Sequence, residues 1–326
     1  MKKIIDNIKV AYYAIKNSKI GYYPISLLLK IYYFPSYYLL PEKMVLKRRF
    51  KKHHKREIDL DNPRTLNEKI VWLELHDRTP LHTICADKYA VRNYIKEKIG
   101  NKYLVPLYYQ TKRPEDIVPE NLPEPPFIIK ANHDSDGGVF VKNKENIEWH
   151  KVRTSLRRRL SKNYYPQSKQ WQYKNIEPCI IVEKLLLDRN GNIPNDYKVH
   201  CFNGKVNMIS VDVGRDSDDH YRNWYNAKWQ REPYAWSSSK GEGKKTDPSD
   251  EDVDKPLTLD EMIVLSEKLS KPFCYVRVDW YDVDGKLYFG ELTFHHDGGN
   301  RPILPEKYDE ILGQKVILPM KQDEDK

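Results

Sequence analysis

The sequence predicts an α+β protein built on antiparallel sheets flanked by helices. Beyond residue 126 the chain breaks into short β-branched runs, which read as strands. Several runs are divided by hairpin signals, notably Asn203-Gly204 and Asp284-Gly285. Helical stretches lie between them, around 148–162 and 258–270. At 326 residues the chain can bury a full core, divided into two or three subdomains.

Residues 1–60 read as a basic amphipathic N-terminal arm. Ile4, Ile8, Ala11 and Ile15 recur at helical spacing among lysines 2, 3, 9 and 16. Residues 20–40 carry one charge, Lys30, but Pro24, Pro35 and six tyrosines argue against a regular spanning helix. Tyrosine favours the membrane interface. A collar follows: Lys43, Lys47, Arg48, Arg49, Lys51, Lys52, Lys55 and Arg56. The pattern predicts a module lying on an anionic membrane surface; a helical hairpin with a solvated basic face is the alternative. The formal charge of +9 is concentrated there and also suits an acidic polymer. No small-residue cleavage site follows the apolar run, so no cleavable signal is expected. Cys85, Cys179, Cys201 and Cys274 are far apart, which predicts neither disulfides nor zinc and fits a reducing cytoplasm. The expected location is cytoplasmic, peripheral on the inner membrane face. His200-Cys201 and His295-His296-Asp297 place neighbours on opposite strand faces, so neither supplies a metal cage.

Residues 61–125 read as a helical subdomain with a linker. Asn62-Pro63 opens a helix whose stripe is Leu66, Ile70, Leu73 and Leu75. A second helix is expected over 85–98, ending at Gly100. Pro114 to Pro126 reads as a linker or a loop crossing between subdomains. Residues 126–187 form the next unit, with strands at Phe127–Lys130, Gly138–Lys142 and Ile180–Leu187. Residues 188–326 form the last, with strands at Lys198–Phe202, Lys205–Val213, Tyr275–Tyr281 and Lys286–Phe294. The polar stretch 237–256 reads as a mobile loop or lid.

Chemistry-bearing residues recur along this frame. Lys130 ends a strand ahead of Asp134-Ser135-Asp136-Gly137-Gly138, a way to cradle phosphate or simply a tight turn. Glu183-Lys184 interrupts an apolar strand, which calls for partners, a function or a wet strand end. Lys198, Arg215 and Arg277 add cations, and alternation places Arg277 on the face of Asp279. The turn Val283-Asp284-Gly285 decides whether Asp279 and Glu291 cooperate. A two-residue loop on Asp284-Gly285 sends Glu291 to the other side of the sheet. A three-residue loop, closed by Gly285 in the left-handed conformation, pairs Asp282 with Lys286 and unites the carboxylates on one face. Two same-face carboxylates suit a divalent cation on nucleotide phosphates; a solvated edge hairpin is the alternative.

The order of these parts, from about Leu40 to Gly313, resembles the TupA-like ATP-grasp family of bacterial capsule and surface-polysaccharide synthesis. The phrases are Asn62-Pro63-Arg64-Thr65-Leu66-Asn67-Glu68-Lys69, Asp87-Lys88-Tyr89-Ala90-Val91-Arg92, Asp196-Tyr197-Lys198, and Val276-Arg277-Val278-Asp279 with Phe289-Gly290-Glu291-Leu292-Thr293-Phe294. The resemblance implies the ATP-grasp fold, ATP and Mg²⁺. Lys130 and Lys198 would contact phosphates under the Gly137-Gly138 loop. Glu183, Lys184 and the backbone near Leu186 would hold adenine, and Asp279 and Glu291 would bind magnesium. Thr293 stands where the family usually has asparagine, a stronger third ligand. His295-His296-Asp297-Gly298-Gly299-Asn300 replaces the usual stretch after it, which points to a different acceptor.

The implied reaction is ligation of a carboxylate to an amine through an acyl phosphate. Lys130, Lys198, Arg215 and Arg277 would neutralise the developing charge, with no side-chain nucleophile. The expected partners are an anionic polysaccharide or lipid-linked sugar, an amino acid or amine, and an anionic membrane surface, not nucleic acid. A sugar or polysaccharide kinase would reuse the same ATP site. A glycosyltransferase would favour a loop such as Asp282-Val283-Asp284.

Overall fold

Strand alternation gives each of two antiparallel sheets an apolar side packed under helices and a second side that carries the charged residues. The computed structural model describes residues 34–134, 137–214, 220–241 and 244–320. The expected helix over 3–16, most of the aromatic segment and Arg215 lie outside them. The chain divides into two compact units, Met1–Arg48 and Arg49–Lys326. In the first, a π-helical turn spans Pro35–Leu39, and helix α1 (Glu42–His54) begins there. Among the described residues no helix is long and apolar enough to cross a membrane.

In the second unit, helix α2 (Leu66–His76) starts with a capping box: Thr65 accepts from the Glu68 N–H, and Glu68 from the Thr65 N–H. Lys69 Nζ reaches the carbonyls of Gly313 (2.8 Å) and Val316 (2.7 Å), at the end of a later helix. Much of the Asn62–Lys69 phrase therefore serves the fold. The single helix expected over 85–98 is two, α3 (Pro80–Ala86) and α4 (Val91–Lys98). Asp87 breaks it by accepting from the N–H groups of Tyr89 (2.8 Å) and Ala90 (3.2 Å).

The first sheet has the order β1-β4-β2-β3, with β1 Leu107–Thr111, β2 Phe127–Ala131, β3 Val139–Val141 and β4 Ile180–Lys184. Phe127, Ile129, Val141, Ile180 and Val182 form its apolar side beneath Val152 and Leu156 of helix α5 (Trp149–Leu160). Strand β1 was not expected inside 61–125. Because β1 and β2 share this sheet, the proline-rich stretch joins two strands of one sheet rather than two subdomains.

The second sheet has the order β11-β10-β5-β6-β7: β5 Asp196–Phe202, β6 Lys205–Val213, β7 Tyr221–Tyr225, β10 Tyr275–Val283 and β11 Lys286–Thr293. Val199, Cys201, Ile209, Val211, Val276, Val278 and Trp280 pack under α4 and helix α6 (Leu259–Ser270). A two-stranded ribbon, β8 (Ser239–Gly241) with β9 (Lys244–Lys245), lies in the expected lid region. Helix α7 (Lys307–Gln314) packs against α2; a Cβ at Gly313 would lie 2.2 Å from the Arg64 carbonyl oxygen.

The β10–β11 hairpin corrects one expectation. Val283 pairs with Lys286 across a two-residue loop, Asp284-Gly285, with φ values of 52° and 87°. The predicted Asp282–Lys286 pairing is absent; Asp282 faces Leu287. The register then shifts between Val278 and Trp280, where Asp279 opposes both Gly290 and Glu291. This bulge restores the face that the loop alone would have lost.

Candidate active site

The side of the second sheet away from its apolar core is charged yet largely buried. Lys198 and Asp279 are register partners across β5 and β10, so they share this face. Lys198 Nζ pairs with Asp196 and lies 2.9 Å from Asp212 Oδ2. Arg222 grips Asp212 through Nε (2.5 Å) and Nη2 (3.0 Å). Burial opposes ionisation of Asp212, but Lys198, His220 and Arg222 hold its carboxyl well below the usual carboxylate range.

Arg277 is the centre of the cluster. It donates from Nε to Asp279 Oδ1 and from Nη2 to Asp279 Oδ2, both at 2.6 Å. Nη2 also reaches Glu291 Oε1 at 3.2 Å, and Nη1 reaches His296 Nδ1 at 2.9 Å. Thr293, opposite Arg277 in the ladder, has its hydroxyl 3.5 Å from Glu291 Oε1. Burial pushes the Asp279 carboxyl up to about 6, against the pull of Arg277 and Lys198. Asp282 and Asp284 are occupied otherwise: Asp282 accepts from Gly285 N and Thr258 Oγ1, and Asp284 from Arg189.

On the first sheet, Lys130 Nζ donates to Glu183 Oε2 at 3.0 Å, and Arg92 Nη1 to Glu183 Oε1 at 3.0 Å. Lys184 points to the opposite side and is exposed. Gly137 has φ +71°, a conformation that favours glycine, and a Cβ at Gly138 would lie 2.6 Å from Ile128 side-chain carbons and 3.1 Å from the Ile129 carbonyl oxygen, so a side chain there would force a shift. Arg159 anchors this loop, bonding Asp134 twice at 2.5 Å and the Gly137 carbonyl at 2.8 Å. Lys88 bridges the sheets: its Nζ donates to the Asp134 carbonyl (2.6 Å) and lies 3.7 Å from Glu291 Oε2. Leu186 packs with Val105 and Tyr288.

The family model described as TupA-like ATPgrasp matches residues 68–317. The chain belongs to the TupA-like ATP-grasp family. Solved structures similar to this family member include the L-amino acid ligase of Bacillus licheniformis. That pair shows 14% identity, TM-score 0.44, and coverage of 88% of this chain and 64% of the other. The D-alanine–D-alanine ligase of Bacillus anthracis shows 17% identity, TM-score 0.37, and coverage of 65% and 56%. That of Helicobacter pylori shows 13% identity, TM-score 0.41, and coverage of 77% and 69%. The chain spans 64% and 56% of the length of the first two of these ligases. Among curated proteins no relative matches the sequence.

Of the residues that the ATP-grasp resemblance implies, the fold gathers Lys198, Arg277, Asp279, Glu291 and Thr293 on one sheet face. Lys130 and Glu183 meet on the other sheet, with Gly137 and Gly138 in the loop that follows β2. Sequence reasoning gave no individual role to Lys88, Arg92, Asp134, Arg159, Asp212, Arg222 or His296. Lys88 and Arg92 stand in the quoted Asp87–Arg92 phrase, Asp134 opens the glycine-loop phrase and His296 lies in the stretch read as pointing to a different acceptor, so a signal existed for these four; Arg159, Asp212 and Arg222 act through contacts distant in the chain.

Among the described residues no three His, Cys, Asp or Glu side chains converge as a metal cage. The donor set nevertheless fits Mg²⁺, which takes one or two carboxylates and completes its shell with phosphate oxygens and water. Asp279 and Glu291 would hold the ion, with the Thr293 hydroxyl beside them. When bound it would neutralise charge on the phosphoryl groups.

Proposed function

We propose that the protein is an ATP-dependent carboxylate–amine ligase. Its substrates on this reading are a uronic-acid carboxyl of a capsular or surface polysaccharide, or a lipid-linked precursor, and an amino acid or other amine. The reading rests chiefly on one observation: Lys198, Arg277, Asp279 and Glu291 converge on one face. In phosphoryl transfer the protein has little covalent work beyond positioning and neutralisation. The acceptor carboxylate attacks the γ-phosphorus and ADP leaves; the amine then attacks the acyl carbon, releasing phosphate and a proton. Lys130 and Lys198 would bind phosphate oxygens, and Arg277 would neutralise charge at the transferring group. Leu186 is held by Val105 and Tyr288, and the backbone near it would hold adenine. The basic collar at residues 43–56 suits an anionic bilayer or polymer, which supports a peripheral place on the inner membrane face.

The test is to incubate the protein with labelled ATP, candidate uronic acids and amines. ADP and phosphate that depend on the amine are expected. A phosphorylated sugar would instead indicate a kinase, and consumption of a UDP-sugar without ATP turnover would sink the ligase. Glu291→Gln should lower turnover by at least about 100-fold with an unchanged melting temperature. Unaltered turnover would refute the metal role of Glu291.

A further inference from the structure

Arginine donates hydrogen bonds and never accepts them. The 2.9 Å contact from Arg277 Nη1 to His296 Nδ1 therefore needs a lone pair on Nδ1. Burial, then the positive charges of Arg277, Arg222 and Lys198, hold the His296 pKa well below its ordinary value. The ring is neutral, and its proton sits on Nε2. That Nε2 is buried and has no hydrogen-bond partner among the described residues; Asp297 Oδ2, at 3.9 Å, is too far. A buried unmet donor costs about 1–3 kcal/mol, which an apolar side chain at this position would avoid. Among the described residues the hydrogen bond of the His296 ring goes to Arg277.

We infer that His296 is a positioning residue: its Nδ1 fixes Arg277 Nη1, leaving Nε and Nη2 aimed at Asp279 and Glu291. The inference rests on Arg277 acting at the nucleotide, as proposed above. A neutral acceptor matters here. Two carboxylates already draw on the guanidinium. A third would cancel charge that a phosphoryl group needs, whereas imidazole satisfies the N–H and leaves the charge intact. The ring is itself braced. Trp236 packs edge-on with centroids 4.3 Å apart, and His54 Nε2 lies 2.9 Å from the Gly299 carbonyl oxygen. Gly299 has φ +64°, and a Cβ there would lie 2.6 Å from the Asn67 carbonyl oxygen. The turn carrying His296 is thus seated on α2.

The test compares full-length wild type, His296→Leu and His296→Asn by calorimetry with Mg²⁺·AMP-PNP and Mg²⁺·ADP. Asn offers a neutral oxygen near the place of Nδ1; Leu keeps volume without an acceptor. His296→Leu should weaken AMP-PNP about ten-fold and ADP less than about two-fold, and His296→Asn should recover most of the loss. Equal losses for both nucleotides, no loss at all, or an Asn variant no better than Leu would overturn the inference. Should wild type bind neither nucleotide, the ATP reading fails separately. The ¹⁵N shifts of the histidine ring then decide: an unprotonated Nδ1 that responds to Arg277→Lys supports the positioning role, and a protonated Nδ1 refutes it.

Discussion

At Asp279, burial and pairing act in opposite directions on one carboxylate. Burial lifts its pKa from 3.8 to about 6, while Arg277 and Lys198 pull it back. Between those values the folded protein holds a proton that the unfolded chain does not, so this group's contribution to stability falls as pH rises through that window. Metal binding makes the reverse demand, because the ion needs the ionised form. With a pKa of about 6, the ionised fraction falls about ten-fold between pH 7 and pH 5. Mg²⁺-dependent ADP binding should weaken by the same factor. Calorimetry at the two pH values checks this, with Asp279→Asn expected to lose the metal-dependent part at both. A wild-type Mg²⁺ affinity that is flat with pH would contradict it. Residue types and alternation brought Lys130, Lys198, Arg277, Asp279 and Glu291 forward as candidates, alternation left Glu291 open between two loops, and the family resemblance supplied the phosphate and metal roles. His296 could not be identified that way. Its role depends on a turn folding back beneath Arg277, 19 positions earlier in the chain.

At the level of elements, the β10–β11 hairpin separates what the turn fixes from what the strand fixes. The Asp284-Gly285 loop sets pairing only as far as Trp280 and Phe289. The bulge at Gly290 and Glu291 then flips the outer half of β11, returning Glu291 to the face of Asp279. Both sequence alternatives assumed an unbroken ladder, so neither contained this solution. The two glycines should therefore respond differently. Gly285→Ala meets open space but keeps a positive φ of 87°, a cost of about 1 kcal/mol. Its Mg²⁺·ADP affinity should be unchanged. Gly290→Val would press on the Asp279 carbonyl oxygen, already 3.1 Å from an ideal Cβ, and on Tyr281 at 3.2 Å. It should cost about 2 kcal/mol and displace Glu291, so that metal-dependent binding falls as well. Urea melts with calorimetry check both; an affinity loss in Gly285→Ala would assign the register to the turn. The long helices near 149–160 and 259–270 were legible because their apolar spacing is sustained. The break at Asp87–Ala90 was not, since the Asp87 carboxylate is also held by Asn132, 45 residues away. Strands β1 and β7 are short and lack clean alternation, so tertiary pairing made them.

For the second unit as a whole, the two sheets meet where their charged faces do. Leu104 bridges to Phe289, and Val105 and Leu186 pack on Tyr288, so an apolar seam lies between the glycine-loop sheet and the carboxylate sheet. Lys88 adds the polar tie, spanning the Asp134 carbonyl and Glu291. Around it the cations are already matched by acids: Lys130 with Glu183, Lys198 with Asp212, and Arg277 with Asp279. Such pairs hold the side chains in place before any ligand arrives, but phosphate must then compete with carboxylates for them. Lys88 differs, because its short bond is to a neutral carbonyl and its carboxylate is at 3.7 Å. Its charge is thus less neutralised than that of its neighbours. Lys88→Met keeps the aliphatic stem and removes only the charge. It should weaken Mg²⁺·ADP binding about ten-fold, the value of one charge-assisted hydrogen bond, and change unfolding free energy by less than about 1 kcal/mol. Calorimetry and urea denaturation on the same preparation measure both. Were stability to fall by several kcal/mol while affinity held, Lys88 would be a structural strut between the sheets and not a phosphate ligand.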